Sequence, residues 1–210
     1  MRLYLSSYKL GNETATLKKW LTQTEKRVGY IPDAFDFTGM PPENRAKHMD
    51  FDMSELTALG FDVEVLDLRE YFGRTDALRE KLFALDMVWV SGGNTFVLRQ
   101  AMRLSGFDRL VADLCARADF VYGGYSAGCC VLSPTLKGLQ TVDDPNNFPF
   151  EALHEVIWEG LGVIDYAFLP HYDSDHPESA DIDREVAYCN ENVIPFKTVR
   201  DGEVLLSEVL

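Results

Sequence analysis

One stretch, Val121-Tyr122-Gly123-Gly124-Tyr125-Ser126-Ala127-Gly128-Cys129-Cys130, constrains the fold of this chain more than any other. Ala118 to Tyr122 reads as a buried strand that runs into a sharp turn and then a helix. Gly124-x-Ser126-x-Gly128 has the spacing of a nucleophile elbow, in which the serine sits on a tight strand-to-helix turn. Glycines on either side remove the β-carbons that would clash there. Such a turn lifts the serine oxygen above a sheet and sets the next N–H, that of Ala127, at a helix N-terminus where an oxyanion can be held. The same residues also spell a small-residue turn whose serine caps a helix. The rest of the chain has to decide between the two.

An elbow needs a sheet, and the chain supplies the alternation for one. Arg2 to Tyr8 reads as a first strand, and Leu17, Trp20, Leu21 and Val28 share a helix face that Gly29 ends. Tyr30-Ile31-Pro32 is a short second strand. A helix opened by Pro41-Pro42 and closed by Gly60 turns Ala46, Met49, Met53 and Leu56 inward. Asp62 to Leu68 is a third strand, Thr75 to Leu82 a short helix, and Met87-Val88-Trp89-Val90 a fully apolar strand entering Ser91-Gly92-Gly93-Asn94. Helices follow over Thr95 to Arg103 and Phe107 to Ala116. Beyond the elbow lie a long irregular loop, Pro134 to Phe150, and an apolar strand, Val163 to Leu169. A helix over Glu178 to Asn190 and two strands, Val193 to Val199 and Val204 to Leu206, close the sheet. This pattern predicts one α/β domain over residues 1–210, with a mainly parallel sheet sandwiched by helices. Ligands of such sheets bind at the carboxyl ends of the strands, where both glycine turns fall.

Charge narrows the partners. The net charge of −14, from 34 acidic and 20 basic residues, opposes binding to nucleic acid or to anionic membrane. No apolar run reaches transmembrane length, and Met1 to Ser7 is too short and polar for a secretory core. The four cysteines, Cys115, Cys129, Cys130 and Cys189, form neither a disulfide framework nor a zinc pattern, which fits a reducing cytoplasm.

A serine nucleophile requires a base and an acid that orients it. His171 directly follows an apolar strand and is therefore expected on the rim that carries Ser126, with His176 as its rival further into the loop. Asp143, Asp144 and Asp173 are candidates for the acid, and spacing does not choose among them. Gly93 could give a second oxyanion N–H beside Ala127, and Asn94 stands at the same turn as a helix cap or a substrate contact. His171, Asp173, Asp175 and His176 can be drawn as a metal cluster, but they lie on a loop without helical pairing, and no metal or cofactor is expected.

Three blocks together resemble a known family: Val88-Trp89-Val90-Ser91-Gly92-Gly93-Asn94-Thr95-Phe96, Gly124-Tyr125-Ser126-Ala127-Gly128, and Leu169-Pro170-His171-Tyr172 look like peptidase E, the α-aspartyl dipeptidase family of serine peptidases that includes cyanophycinase. The resemblance runs over nearly the whole chain. It implies a flavodoxin-like fold similar to class I glutamine amidotransferases, with serine in place of cysteine at the elbow. It also implies hydrolysis of dipeptides with a free N-terminal aspartate through an acyl-enzyme. By position it makes Ser126 the nucleophile, His171 the base, Gly93 and Ala127 the oxyanion donors and Asp143 the orienting acid. Arg184 lies near the family's candidate for the cation that would meet the aspartyl side chain. Relatives of this fold occur as monomers and as homodimers. Two other readings share the motifs: an α/β-hydrolase-type esterase, and a catalytically silent binding protein on the same scaffold.

Overall fold

The computed structural model describes residues 1–209. Its main sheet has six strands in the order β3-β2-β4-β5-β1-β8, namely β1 (Arg2–Ser6), β2 (Arg27–Ile31), β3 (Asp62–Val65), β4 (Met87–Val90), β5 (Val121–Tyr125) and β8 (Val204–Glu208). All pair in parallel except β8, which runs antiparallel to β1 at the edge. The remaining strands, β6 (Ala167–Leu169) and β7 (Phe196–Thr198), form a separate parallel pair. The expectation that all closing strands extend the main sheet is thus corrected: only β8 does so.

Alternation along the central strands divides the core between two faces. Leu3, Leu5, Val88, Val90 and Tyr122 pack with Phe96, Leu98 and Phe107 on one side. Tyr4, Val28, Tyr30, Met87, Trp89 and Val121 pack with Leu17, Leu21 and Leu56 on the other. Each such side chain, once fully buried, contributes roughly 1.5–3 kcal/mol. Helices α1 (Thr14–Trp20), α2 (Pro42–Ala58), α3 (Thr75–Phe83), α4 (Thr95–Ser105), α5 (Phe107–Cys115), α6 (Ala127–Cys130) and α7 (Ser179–Glu191) complete the chain.

Local signals erred where tertiary pairing outweighed them. Val28 and Gly29 belong to β2, not to a helix, because β3 and β4 pair with them on both sides, and Gly29 leaves room for Leu85, whose Cδ1 would lie 2.6 Å from an added Cβ. In α2, Leu56 is buried as expected, but Ala46 faces solvent and the other buried position belongs to Asp52, whose carboxylate accepts from Lys9 Nζ (2.7 Å), Tyr30 Oη (2.8 Å) and Tyr125 Oη (2.8 Å). Strand β5 runs on through Gly123 and Gly124 to Tyr125, because β1 and β4 pair with it on both sides. The registers Ser6–Tyr125 and Val90–Gly124 put the ends of these three strands level on one rim.

Candidate active site

Ser126 sits at φ 49° and ψ −119°, between β5 and the four-residue α6. A non-glycine residue rarely adopts this conformation, and it is held only where its surroundings over-determine it. Here they do. The Ser126 N–H reaches the carbonyls of Ser6 (3.3 Å) and Ser7 (3.2 Å) at the end of β1. Gly128 packs so closely that a Cβ would lie 2.4 Å from the Val90 carbonyl oxygen, and one on Gly124 would lie 2.7 Å from the same atom. Ala127 opens α6, so its N–H has no acceptor within that helix.

Across the rim, Gly93 takes φ 132°, and a Cβ there would meet the Ala34 oxygen at 2.3 Å. Only glycine lets the chain pass this point, and Gly93 lines the same cavity as Ser126. Asn94 also borders that cavity, but its side chain is engaged elsewhere. Its Oδ1 caps α4 by accepting from Val97 N–H (2.9 Å), and its Nδ2 donates to the Asp144 carbonyl (3.2 Å). The cap, rather than a substrate contact, accounts for its side chain.

His171 leaves β6 at φ 60° and is 1% exposed. Its N–H donates to Ser7 Oγ (2.8 Å), and its Nδ1 lies 2.7 Å from Asp201 Oδ1. Ser7 Oγ is also 2.8 Å from Asp201 Oδ1, so one buried hydroxyl braces both partners. Burial and the neighbouring His176 push the His171 pKa below its ordinary value, against a weaker upward pull from Asp201. The two imidazoles stack at 3.7 Å with planes 7° apart, and Tyr8 stands edge-on to both. Ser126 and His171 share the cavity without a hydrogen bond between their side chains, the loose form such pairs commonly have until substrate tightens them.

The acid on His171 is Asp201, which the sequence reading missed. Its Asp-Gly pair looks like an ordinary turn between closing strands. The signal was the strand pairing: β6 and β7 are parallel with Leu169 opposite Thr198, so the residues just beyond each strand, His171 and Asp201, emerge side by side. The rule that placed His171 on the rim applies equally to Asp201.

Asp143, expected as that acid, instead accepts from the Thr95 N–H at 2.8 Å at the start of α4. Asp144 accepts from Asn146 N–H (2.9 Å), and Asp173 pairs with Arg200. Arg184 also departs from expectation. Its side chain is 72% exposed on α7 and pairs with Asp181 at 2.9 Å, away from the cavity. The 3.6-residue period turns Glu185, not Arg184, toward the interior.

The cavity holds about 390 Å³, in the range of small-ligand sites. Its one lysine, Lys9, is bound to Asp52. A smaller recess shares Gly93, Ser126, Val142, Asp143 and Glu178 with it and is closed by Glu185 and apolar side chains. Burial, and then repulsion from Asp143 and other nearby carboxylates, raise the pKa of Glu178 to about 7 and of Glu185 to about 8, and burial raises Asp143 to about 6.

Of the loop residues considered for metal, His171 and His176 come together with Glu178 rather than with the aspartates. Ring nitrogens bind a metal in the plane of the ring, and two parallel rings do not aim at a common ion. Moreover, His171 Nδ1 is already committed to Asp201. Cys129 and Cys130 are buried, with Cys129 Sγ 3.1 Å from the Gly124 carbonyl oxygen, and burial raises both thiols well above their ordinary range. No helix among the described residues is long and apolar enough to cross a membrane.

The sequence model of peptidase family S51 matches residues 5–208. The uncharacterized peptidase Lmo0363 of Listeria monocytogenes is 32% identical over 152 residues, covering 71% of this chain and 67% of that protein. Peptidase E of Streptomyces coelicolor is 28% identical over 133 residues, 61% of this chain and 51% of its own length. Among solved structures, a putative peptidase E from Listeria monocytogenes superposes with a TM-score of 0.74 at 24% identity, covering 100% of this chain and 98% of its own. A peptidase from an acI-B1 actinobacterium does so at 0.68 and 14%, covering 99% and 83%. These likenesses fit the flavodoxin-like sheet expected from the motifs.

Proposed function

Because this chain belongs to peptidase family S51, we propose that it is a serine peptidase that cleaves short peptides through an acyl-enzyme. One observation carries the reading: an elbow serine in a rare backbone conformation shares a cavity with a histidine whose Nδ1 is held by a carboxylate. His171 takes the Ser126 proton, and Ser126 Oγ attacks the carbonyl carbon of the scissile amide. Asp201 keeps the His171 Nδ1–H tautomer and steadies the imidazolium that forms. The Ala127 and Gly93 N–H groups receive the oxyanion. His171 then gives its proton to the leaving amine, and water, activated by the same histidine, releases the acyl group.

The family resemblance adds the finer expectation of an N-terminal aspartate. The cavity lends it no support, since Arg184 lies outside and Lys9 is bound to Asp52. Its volume suits a dipeptide-sized ligand rather than a folded protein.

The test is labelling of the purified chain with a fluorophosphonate, alongside hydrolysis of a dipeptide panel. Ser126 should take the label, and Ser126→Ala should lose both label and turnover. A folded protein that neither labels nor cleaves any amide would refute the proposal.

A further inference from the structure

We propose that the aromatic side of the Ser126 cavity receives the side chain of the leaving residue, the one on the amine side of the scissile bond, and that this side chain is large and apolar, an aromatic ring foremost. The inference rests on the peptidase reading and names the substrate class for it.

The lining of the cavity divides by chemistry. Its carboxyls, Asp143, Asp144 and Glu178, come from the loop after the elbow and from the residue that precedes α7. Its rings come from other segments: Tyr8 just after β1, Tyr125 at the end of β5, Phe35 after β2 and His48 in α2. Contacts join these rings into one band. Tyr8 stands edge-on to His171, with centroids 6.0 Å apart, and to Tyr125 at 6.1 Å. Lys9, the next residue, holds its ammonium 5.5 Å from the Tyr8 ring centroid and 5.0 Å from that of Tyr125, and donates to Asp52. Asp52 and His48 are one turn apart in α2 and therefore share a face. His48 stacks on Phe35 at 5.2 Å, with planes 22° apart. Ala34, the neighbour of Phe35, accepts from the Asn94 N–H at 2.9 Å, directly after Gly93. The band thus runs from His171 to the oxyanion turn, and Phe37 and Met40 add apolar surface to the same cavity.

His171 assigns this band to the leaving side. The imidazole that takes the Ser126 proton gives it to the leaving amine, so that nitrogen sits beside His171. Tyr8 packs against His171, and a side chain on the carbon next to that amine reaches the band. A ring there would meet the others edge-on or offset, and the Met40 thioether suits a ring edge. The wall is held in place by its own contacts: Arg45 Nε lies 2.8 Å from Asp36 Oδ1, and the Thr38 N–H donates to Asn147 Oδ1 at 2.9 Å. A ligand therefore has no loop to order, which favours binding. Charge opposes the acidic alternative. Among the described residues, Lys9 is the one lysine or arginine on the cavity, and Asp52 already neutralises it. An acidic leaving residue would meet carboxyls and no free cation.

Binding is measured apart from chemistry. The Ser126→Ala chain is titrated by calorimetry with Ala-Ala, Ala-Phe, Phe-Ala, Ala-Asp and Ala-Lys. Ala-Phe should bind at least ~10-fold more tightly than Ala-Ala, the lower end of what burying one large apolar side chain supplies. Phe-Ala should gain less, and Ala-Asp should bind more weakly than Ala-Ala. Adding His48→Ala, at an exposed position of α2, or Tyr8→Ala should remove most of the Ala-Phe advantage, with circular dichroism as the check on folding. Ala-Phe binding no tighter than Ala-Ala, a tighter Phe-Ala, Ala-Asp or Ala-Lys, or a preference untouched by both substitutions would overturn the proposal. Failure of the serine reading is seen separately, as absent fluorophosphonate labelling of the wild-type chain.

Discussion

His171 Nδ1 and Asp201 Oδ1 stand 2.7 Å apart, each just beyond a strand of the small β6–β7 pair, and Ser7, the residue after β1 of the main sheet, braces both. His171 and its carboxylate partner therefore follow the strands of one sheet, and the elbow serine follows a strand of the other. Ser7 and Ser126 join the two at the rim, because the Ser126 N–H is held by the Ser6 and Ser7 carbonyls. The geometry of the site depends on how these two sheets meet.

Asp201→Asn should fold normally and lose turnover. An amide in place of the carboxylate favours the wrong His171 tautomer, and in a serine triad this costs up to ~10⁴ in kcat. Asp143→Asn, which alters a cavity-lining carboxyl that accepts from the Thr95 N–H at the start of α4, should keep Ser126–His171 chemistry and change mainly KM. Steady-state kinetics on the best dipeptide checks the contrast. A larger loss of kcat in the Asp143 variant would restore the assignment first expected from the family resemblance.

Ser7→Ala removes a hydroxyl that touches neither substrate nor reacting atoms. It acts by positioning His171 and Asp201, and the loss should appear as a kcat decrease of roughly tenfold, the scale of a lost buried hydrogen bond at ~1.4 kcal/mol, with KM nearly unchanged. A lower melting temperature with kcat unaffected would make Ser7 a packing residue only.

The pH profile follows from the direction of the His171 shift. A general base works in its neutral form, and burial beside His176 lowers the pKa of His171, so the neutral form persists to more acidic pH than for an ordinary histidine. The acid limb of kcat/KM should therefore have its midpoint below the ordinary value of 6.5. Because Asp201 pulls the value upward, Asp201→Asn should move the midpoint lower still. A midpoint above 6.5 in the wild-type chain would contradict the assignment.

Gly128→Ala should destabilise the fold, since the added Cβ would lie 2.4 Å from the Val90 carbonyl oxygen, a backbone atom that cannot swing away. Overpacking of this kind costs about 1–3 kcal/mol, or roughly 2–12 °C in melting temperature for a chain of this size. Thermal melts by circular dichroism measure it, and an unchanged melting temperature would mean that the elbow is looser than its contacts indicate.

The sequence by itself determined whatever depends on short-range chemistry. Gly124-x-Ser126-x-Gly128 specified the strained turn, because only residues without a Cβ pass so close to Val90. Four consecutive apolar residues marked β4 as buried on both faces. Pro170-His171 after an apolar strand put a histidine on the rim. Tertiary structure decided what depends on contacts across long separations. Val28 and Gly29 became strand because β3 and β4 flank them, a pairing energy that no local window contains. Asp201 became the partner of His171 because β7 lies parallel to β6, although the residues are 30 apart in the chain. Arg184 and Glu185 exchanged their expected importance through a single step of about 100° around α7, which turned the cation to solvent and the carboxyl to the recess. Which charge faces the recess is therefore a matter of helix phase, which a motif spaced along the chain does not record.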